Sequence, residues 1–160
     1  AYTISADNEF LTLAYRDFYV LQYAANLAIT KLKENQGNAF NLSNAADKAL
    51  YDRLMGEAYF LRGLSRFYIT FNWGDKVPDR DYVTIGGSDL TKGPAQPGEI
   101  YQKMISDFST AANLLPVRSL VYSNSNDIGR ATKGSALAFL AKAYMARPII
   151  DGSASAGSAE

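Results

Sequence analysis

Apolar residues return every three or four positions between Asp7 and Lys33, where Phe10, Ala14, Phe18, Leu21, Ala25, Ile29 and Leu32 fall on one helical stripe. The spacing predicts a first helix about 40 Å long at 1.5 Å per residue, with Asp7 as its N-cap. Asn35, Gln36, Gly37 and Asn38 interrupt the period, and Gly and Asn are the residues that tolerate a left-handed helix end. A second period begins at Ser43 or Asn44 and runs to about Phe71, with Leu50, Leu54, Ala58, Leu61, Leu64 and Tyr68 expected inward. The two helices are expected to run antiparallel. Residues 72–98 hold several glycines, three prolines and a cluster of aspartates, which predicts a long loop with a short extended piece at Tyr82–Ile85.

A third helix is expected from near Pro97, whose fixed φ suits a first turn, with Ile100, Met104, Ile105, Phe108, Ala111 and Leu115 before Pro116 stops it. After the polar loop Asn124–Asp127, Thr132 can cap a fourth helix that carries Ala136, Leu137, Leu140, Ala141 and Tyr144 and stops at Pro148. Beyond Asp151 the composition is Gly, Ser, Ala and one Glu, so residues 1–150 are expected to fold and 151–160 to be a flexible tail or a truncated seam. Small residues at Gly56, Ala58, Gly63, Gly134, Ala136, Ala141 and Ala143 let helix axes approach closely. Two successive hairpins of this kind predict an all-α, tetratricopeptide-like arrangement of four main helices ahead of a closed four-helix bundle, although no strict 34-residue repeat survives the long loop.

Composition narrows the chemistry. At 160 residues, 48% hydrophobic and 20% charged, the chain suits one ordinary globular core. Sixteen basic against sixteen acidic residues give a formal net charge of +0, so no field stands ready to recruit nucleic acid or an anionic membrane. With no histidine and no cysteine, the chain cannot build a Ser-His-Asp triad, a thiol nucleophile, the usual zinc sites or a disulfide. No run of about 18 apolar residues is present, so no membrane-spanning helix is expected. No cofactor is called for.

Five blocks of sequence carry a resemblance. Tyr15 and Tyr19 followed by Asn26 form the first, and Glu57-Ala58-Tyr59-Phe60-Leu61-Arg62-Gly63 with Phe67-Tyr68 the second. Trp73-Gly74-Asp75-Lys76-Val77-Pro78 is the third. Glu99-Ile100-Tyr101, Asp107-Phe108, Ala111 and Leu114-Leu115-Pro116 make the fourth, and Gly129-Arg130-Ala131-Thr132-Lys133-Gly134 with Ala136 the fifth. Together they resemble the SusD/RagB-like nutrient-binding lipoproteins of Bacteroidota-type outer membranes, over roughly residues 10–147. Departures are Gln22, where the family prefers an aliphatic residue, and the missing arginine near Lys92.

The resemblance implies the helical amino-terminal portion of a protein several hundred residues long. It further implies a surface-exposed, non-catalytic scaffold, held to the outer membrane by a lipid anchor outside this sequence. Such a scaffold rests on a TonB-dependent (SusC-like) transporter, while loops bind a glycan or peptide nutrient. The rival reading is a cytosolic tetratricopeptide-like adaptor holding a peptide partner in its groove.

Arg62 is expected to pair with Glu57 or Asp107, and Arg130 with a carboxylate or backbone carbonyls. Asp75, Asp79 and Asp81 with Asn72 cluster oxygen donors but lack EF-hand spacing, so Asp75 is expected in an Asx-turn and the others as solvated charges. Tyr15, Tyr19 and Tyr23 recur at every fourth position and are expected to pack their rings with hydroxyls outward. For ligand contact the candidates are Asn38, Phe40 and Asn41, where an aromatic ring between amides suits a polyhydroxylated ligand, and Trp73, whose main expected role is a lid over the core.

Overall fold

The computed structural model describes residues 8–87, 91–121 and 125–150, so Asp7 and the 151–160 tail lie outside the described residues. Helix α1 spans Glu9–Glu34, and its N-cap is Asn8, whose side chain accepts from the Leu11 amide at 3.2 Å. Helix α2 spans Ala45–Trp73, capped by Asn44, which accepts from Ala46 and Asp47 amides at 2.8 and 3.2 Å. Helix α3 spans Glu99–Leu114. Pro97 stays outside it: the N-cap is Gly98 at φ 77, a left-handed conformation that glycine adopts without strain. The Asp75 carboxylate accepts from the Gly98 amide at 3.0 Å, so it caps α3 from a distance and does not close an Asx-turn.

A four-residue helix α4, Arg118–Val121, and a 3-10 turn at Ser125–Asp127 follow, neither of them evident from periodicity. Helix α5 spans Lys133–Ile150 and is not stopped by Pro148, since a proline in the closing turn removes only one amide donor. No strand occurs among the described residues, so Tyr82–Ile85 is irregular.

The helices stack in chain order: α1 on α2, α2 on α3, and α3 on α5, with α5 also touching α2. Among the described residues α1 and α5 share no substantial interface, which a closed bundle would require. Gly56 and Gly63 set the spacing of α2 and α3, because an added methyl would come within 2.9 Å of Leu115 and of Phe108 respectively. Gly134 has no such neighbour and serves no close approach. Phe139 of α5 fills the space between α2 and α3, its ring 5.7 Å from those of Phe60 and Phe67 and 5.6 Å from that of Phe108.

Two helical faces differ from expectation. In α2 the buried side is Tyr51, Met55, Ala58, Arg62, Ser65, Arg66 and Ile69, whereas Leu50, Leu61 and Tyr68 are exposed. A leucine count misplaces the stripe because α2 turns polar side chains toward a buried loop. In α5, Ala136, Ala143 and Ala146 face the core, while Leu137 (48% exposed) and Tyr144 (55%) point outward along with Ala141. Small side chains take the inner face there because α5 packs closely on α3.

Candidate functional site

Helical spacing places Arg62 and Arg66 one turn apart on α2, and Tyr19, Gln22 and Asn26 at steps of three and four on α1. The segment 75–82 passes between these faces and is gripped by them. Arg66 donates from Nε and Nη2 to both oxygens of Asp79 at 2.9 Å each and from Nη1 to Asp107. Arg62 donates to the two Asp107 oxygens at 3.0 and 2.7 Å, and to Asn26 Oδ1 at 3.0 Å. Asp79 also accepts from Gln22 at 2.7 Å and from Lys103 at 3.3 Å. The loop backbone is held as well: Tyr19 Oη donates to the Pro78 carbonyl at 2.6 Å, and Asn26 Nδ2 to the carbonyls of Arg80 and Tyr82 at 3.0 Å.

The centre of the network is buried, with Arg66 1% and Asp79 2% exposed. Burial by itself would push the Asp79 carboxyl up, but the bonds and charges of Arg66 and Lys103 overcome it and hold the carboxyl below its ordinary range. Arg66 is raised although burial opposes its charge, because Asp79 and Asp107 face it. The Tyr19 phenol is driven well above its ordinary value, first by burial and then by Tyr15. Asp79 is thus no solvated loop charge, and Tyr19 turns its hydroxyl inward. Of the tyrosine stripe, only Tyr23 is exposed. Arg62 does pair with Asp107. Arg130 finds Glu57 at 2.8 and 2.6 Å, beside the Arg53–Asp127 pair, and so ties the approach of α5 to α2. Among the described residues no group of three or more acidic side chains could hold a metal.

The four candidate ligand residues fall in two places. Asn38, Phe40 and Asn41 lie in the connection between α1 and α2. Phe40 sets its edge on Tyr51 at 5.4 Å and stays half-buried. The Asn41 side chain accepts from the Ser43 amide at 3.1 Å, and the Asn41 amide donates to Asp47 at 3.0 Å. Phe40 and Asn41 border an open depression of about 580 Å³ together with Lys33, Gln36, Gly37 and Leu42. A ring, two amides and a cation on one rim can stack on a sugar and bond its hydroxyls. Trp73 sits at the other end of α2, roughly 40 Å of helix away. Its ring meets Tyr15 at 5.1 Å and Phe18 at 6.3 Å and packs with Ile69, Val77 and Ile100. One small ligand cannot touch both places.

Comparison with known proteins settles the family. The model for SusD-like proteins, described as starch-binding and associating with the outer membrane, matches residues 1–145. The chain belongs to the SusD-like family. A SusD-like protein of Bacteroides ovatus is 27% identical over 151 residues, 91% of this chain and 24% of that relative. A solved SusD-like carbohydrate-binding protein of Bacteroides fragilis superposes with a TM-score of 0.72 at 25% identity, over 91% of this chain and 26% of its own. A laminarin-binding SusD-like protein superposes with a TM-score of 0.67 at 25% identity, over 85% of this chain and 26% of its own. The chain thus spans about a quarter of the length of the relatives it matches.

In this SusD-like chain three residues of the block Glu57–Gly63 tie the helices together: Glu57 holds Arg130, Arg62 holds Asp107, and Gly63 admits the Phe108 ring. Gln22 is the donor by which α1 reaches Asp79. Sequence reading missed Gln22, Arg66 and Asp79 as one unit. The available signal was two amides in an otherwise apolar stretch of α1 and a second arginine one turn after Arg62. No described helix is long and apolar enough to cross a membrane.

Proposed function

We propose that the full-length protein captures a glycan at the cell surface and passes it, unaltered, to a TonB-dependent (SusC-like) transporter, a lipid anchor keeping it at the outer membrane. This chain supplies the helical scaffold. The match of the starch-binding, outer-membrane family model over residues 1–145 carries the reading, and a laminarin-binding relative of the same fold supports it. A binding role without catalysis accords with the chemistry, since the buried carboxylates Asp79 and Asp107 are both held by arginines that fix helices. Ligand contact within this chain is assigned to Phe40 and Asn41, whose rim offers a ring face and, with Gln36, amides together, to Asn38, which lies in the same connection but off that rim, and to Trp73 as a separate contact at the far end of α2.

Affinity electrophoresis of the full-length protein through gels containing starch or laminarin tests the reading. Retardation in at least one gel, without release of reducing sugar, is the expected result. Free migration in both, or turnover of either polymer, contradicts it. Co-purification with the transporter checks the handover, and its failure in a protein that still binds glycan would remove that part alone.

A further inference from the structure

The depression beside Phe40 has a one-sided polarity. Asn41 has three of its polar groups engaged within the chain: its amide donates to Asp47 at 3.0 Å, its carbonyl accepts from the Asn44 amide at 2.8 Å, and Oδ1 accepts from the Ser43 amide at 3.1 Å. Only Nδ2 is left over, and an amide nitrogen donates. Lys33 adds an ammonium, which also only donates. Its neighbour Lys31 is paired with Glu34 at 2.7 Å, whereas the exposed Lys33 side chain has no ion pair among the described residues. Residues 35–44 contain no charge, and Asp47, the next carboxylate along the chain, is held by the Asn41 amide. Of the remaining rim residues Gln36, Gly37, Phe40 and Leu42, only Gln36 has a side chain able to accept. The Phe40 ring also borders the apolar groove between α1 and α2, so the two hollows meet at that ring, and Lys33 and Asn41 line only the polar one.

We propose that this depression takes an anionic sugar unit, a uronate or a sulfate ester, in preference to a neutral one. The inference rests on the glycan reading above and narrows it. A neutral hydroxyl both donates and accepts, so a rim of donors satisfies only half of it. The oxygens of a carboxylate or sulfate accept only, and their bonds to an ammonium and an amide N–H are charge-assisted and stronger. The Phe40 ring then serves the apolar face of the same sugar. Asn41 is oriented for this by its Asx-turn, which commits the side-chain oxygen and leaves the nitrogen to the ligand.

Calorimetric titration of the full-length protein tests it, with starch and laminarin oligosaccharides each supplied neutral, oxidised at C6 to the uronate, or sulfated. At least one charged form is expected to bind about fivefold or more tighter than its neutral parent at low salt. That advantage should shrink at about 1 M salt, where the screening length is about 3 Å; which charged form gains shows whether the anion is a carboxylate or a sulfate. Lys33→Gln is expected to abolish the advantage. Asn41→Asp keeps the acceptor for the Ser43 amide but turns an oxygen outward, and is expected to reverse it, with melting temperatures of both variants recorded; should Asn41→Asp not fold, Lys33→Gln decides alone. Equal affinity for charged and neutral forms, or an advantage that survives Lys33→Gln, overturns the proposal and leaves the glycan reading standing. Failure to bind any of the six sugars overturns both.

Discussion

Asp79 sits where three helices can reach it, and Arg66 divides its guanidinium between Asp79 and Asp107. Asp79→Asn keeps the shape but removes the charge that compensates a buried guanidinium. Breaking a buried pair in this way costs about 3–5 kcal/mol, measurable by urea denaturation. The same residue gives stability a pH dependence. Its folded pKa lies below the unfolded value of 3.8, so its contribution is complete above the ordinary carboxylate range and is lost as pH falls through the depressed folded pKa. The unfolded state binds the proton first, so stability rises with pH across that window. Asp79→Asn is expected to flatten the acid limb of the stability curve, and an unchanged limb would mean that other carboxylates govern it. At this scale the sequence was only partly legible. The Arg62–Asp107 pair could be anticipated because both lie on predicted helices, but Asp79 looked like any loop aspartate, since nothing local says that a loop will be drawn into the core.

Helix ends and helix faces obeyed different rules. The ends are written in short-range chemistry, so Asn44 and Pro116 mark boundaries to within a residue or two, and Asn44→Ala is expected to cost about 1 kcal/mol in thermal or urea unfolding. The faces depend on what packs against them. Arg66 is buried and Leu50 is exposed on the same helix, an outcome set by the 75–82 segment and by α3, which no window of α2 can report. The glycines make a sharper test. Gly63→Ala places a methyl 2.9 Å from the fully buried Phe108 ring and is expected to destabilise by about 1–3 kcal/mol. Gly134→Ala, with nothing nearer than 3.8 Å, should leave stability unchanged or raise it by about 0.5–1 kcal/mol. Equal effects at the two positions would show that α2 and α3 do not need their close approach.

The described helices stack in chain order, with the 75–82 connection drawn into the core as a charged strap and the 35–44 connection left at the surface. Stacking in chain order was legible from periodicity and small residues, and family membership from the Glu57–Gly63 and Trp73–Pro78 blocks. The division of ligand candidates was not, because the separation of Trp73 from Phe40 follows from the unbroken length of α2. The helices give stiffness and the short connection 35–44 presents amides and a ring at the surface. The recognition proposed for that connection should therefore be alterable without loosening the stack. The most direct measurement is a calorimetric titration of whichever glycan binds the full-length protein, starch or laminarin oligosaccharide, against its Asn38→Ala/Asn41→Ala variant with the melting temperatures of both recorded. The account predicts an affinity at least tenfold lower with a melting temperature within a few degrees of the parent; an unchanged affinity would contradict it.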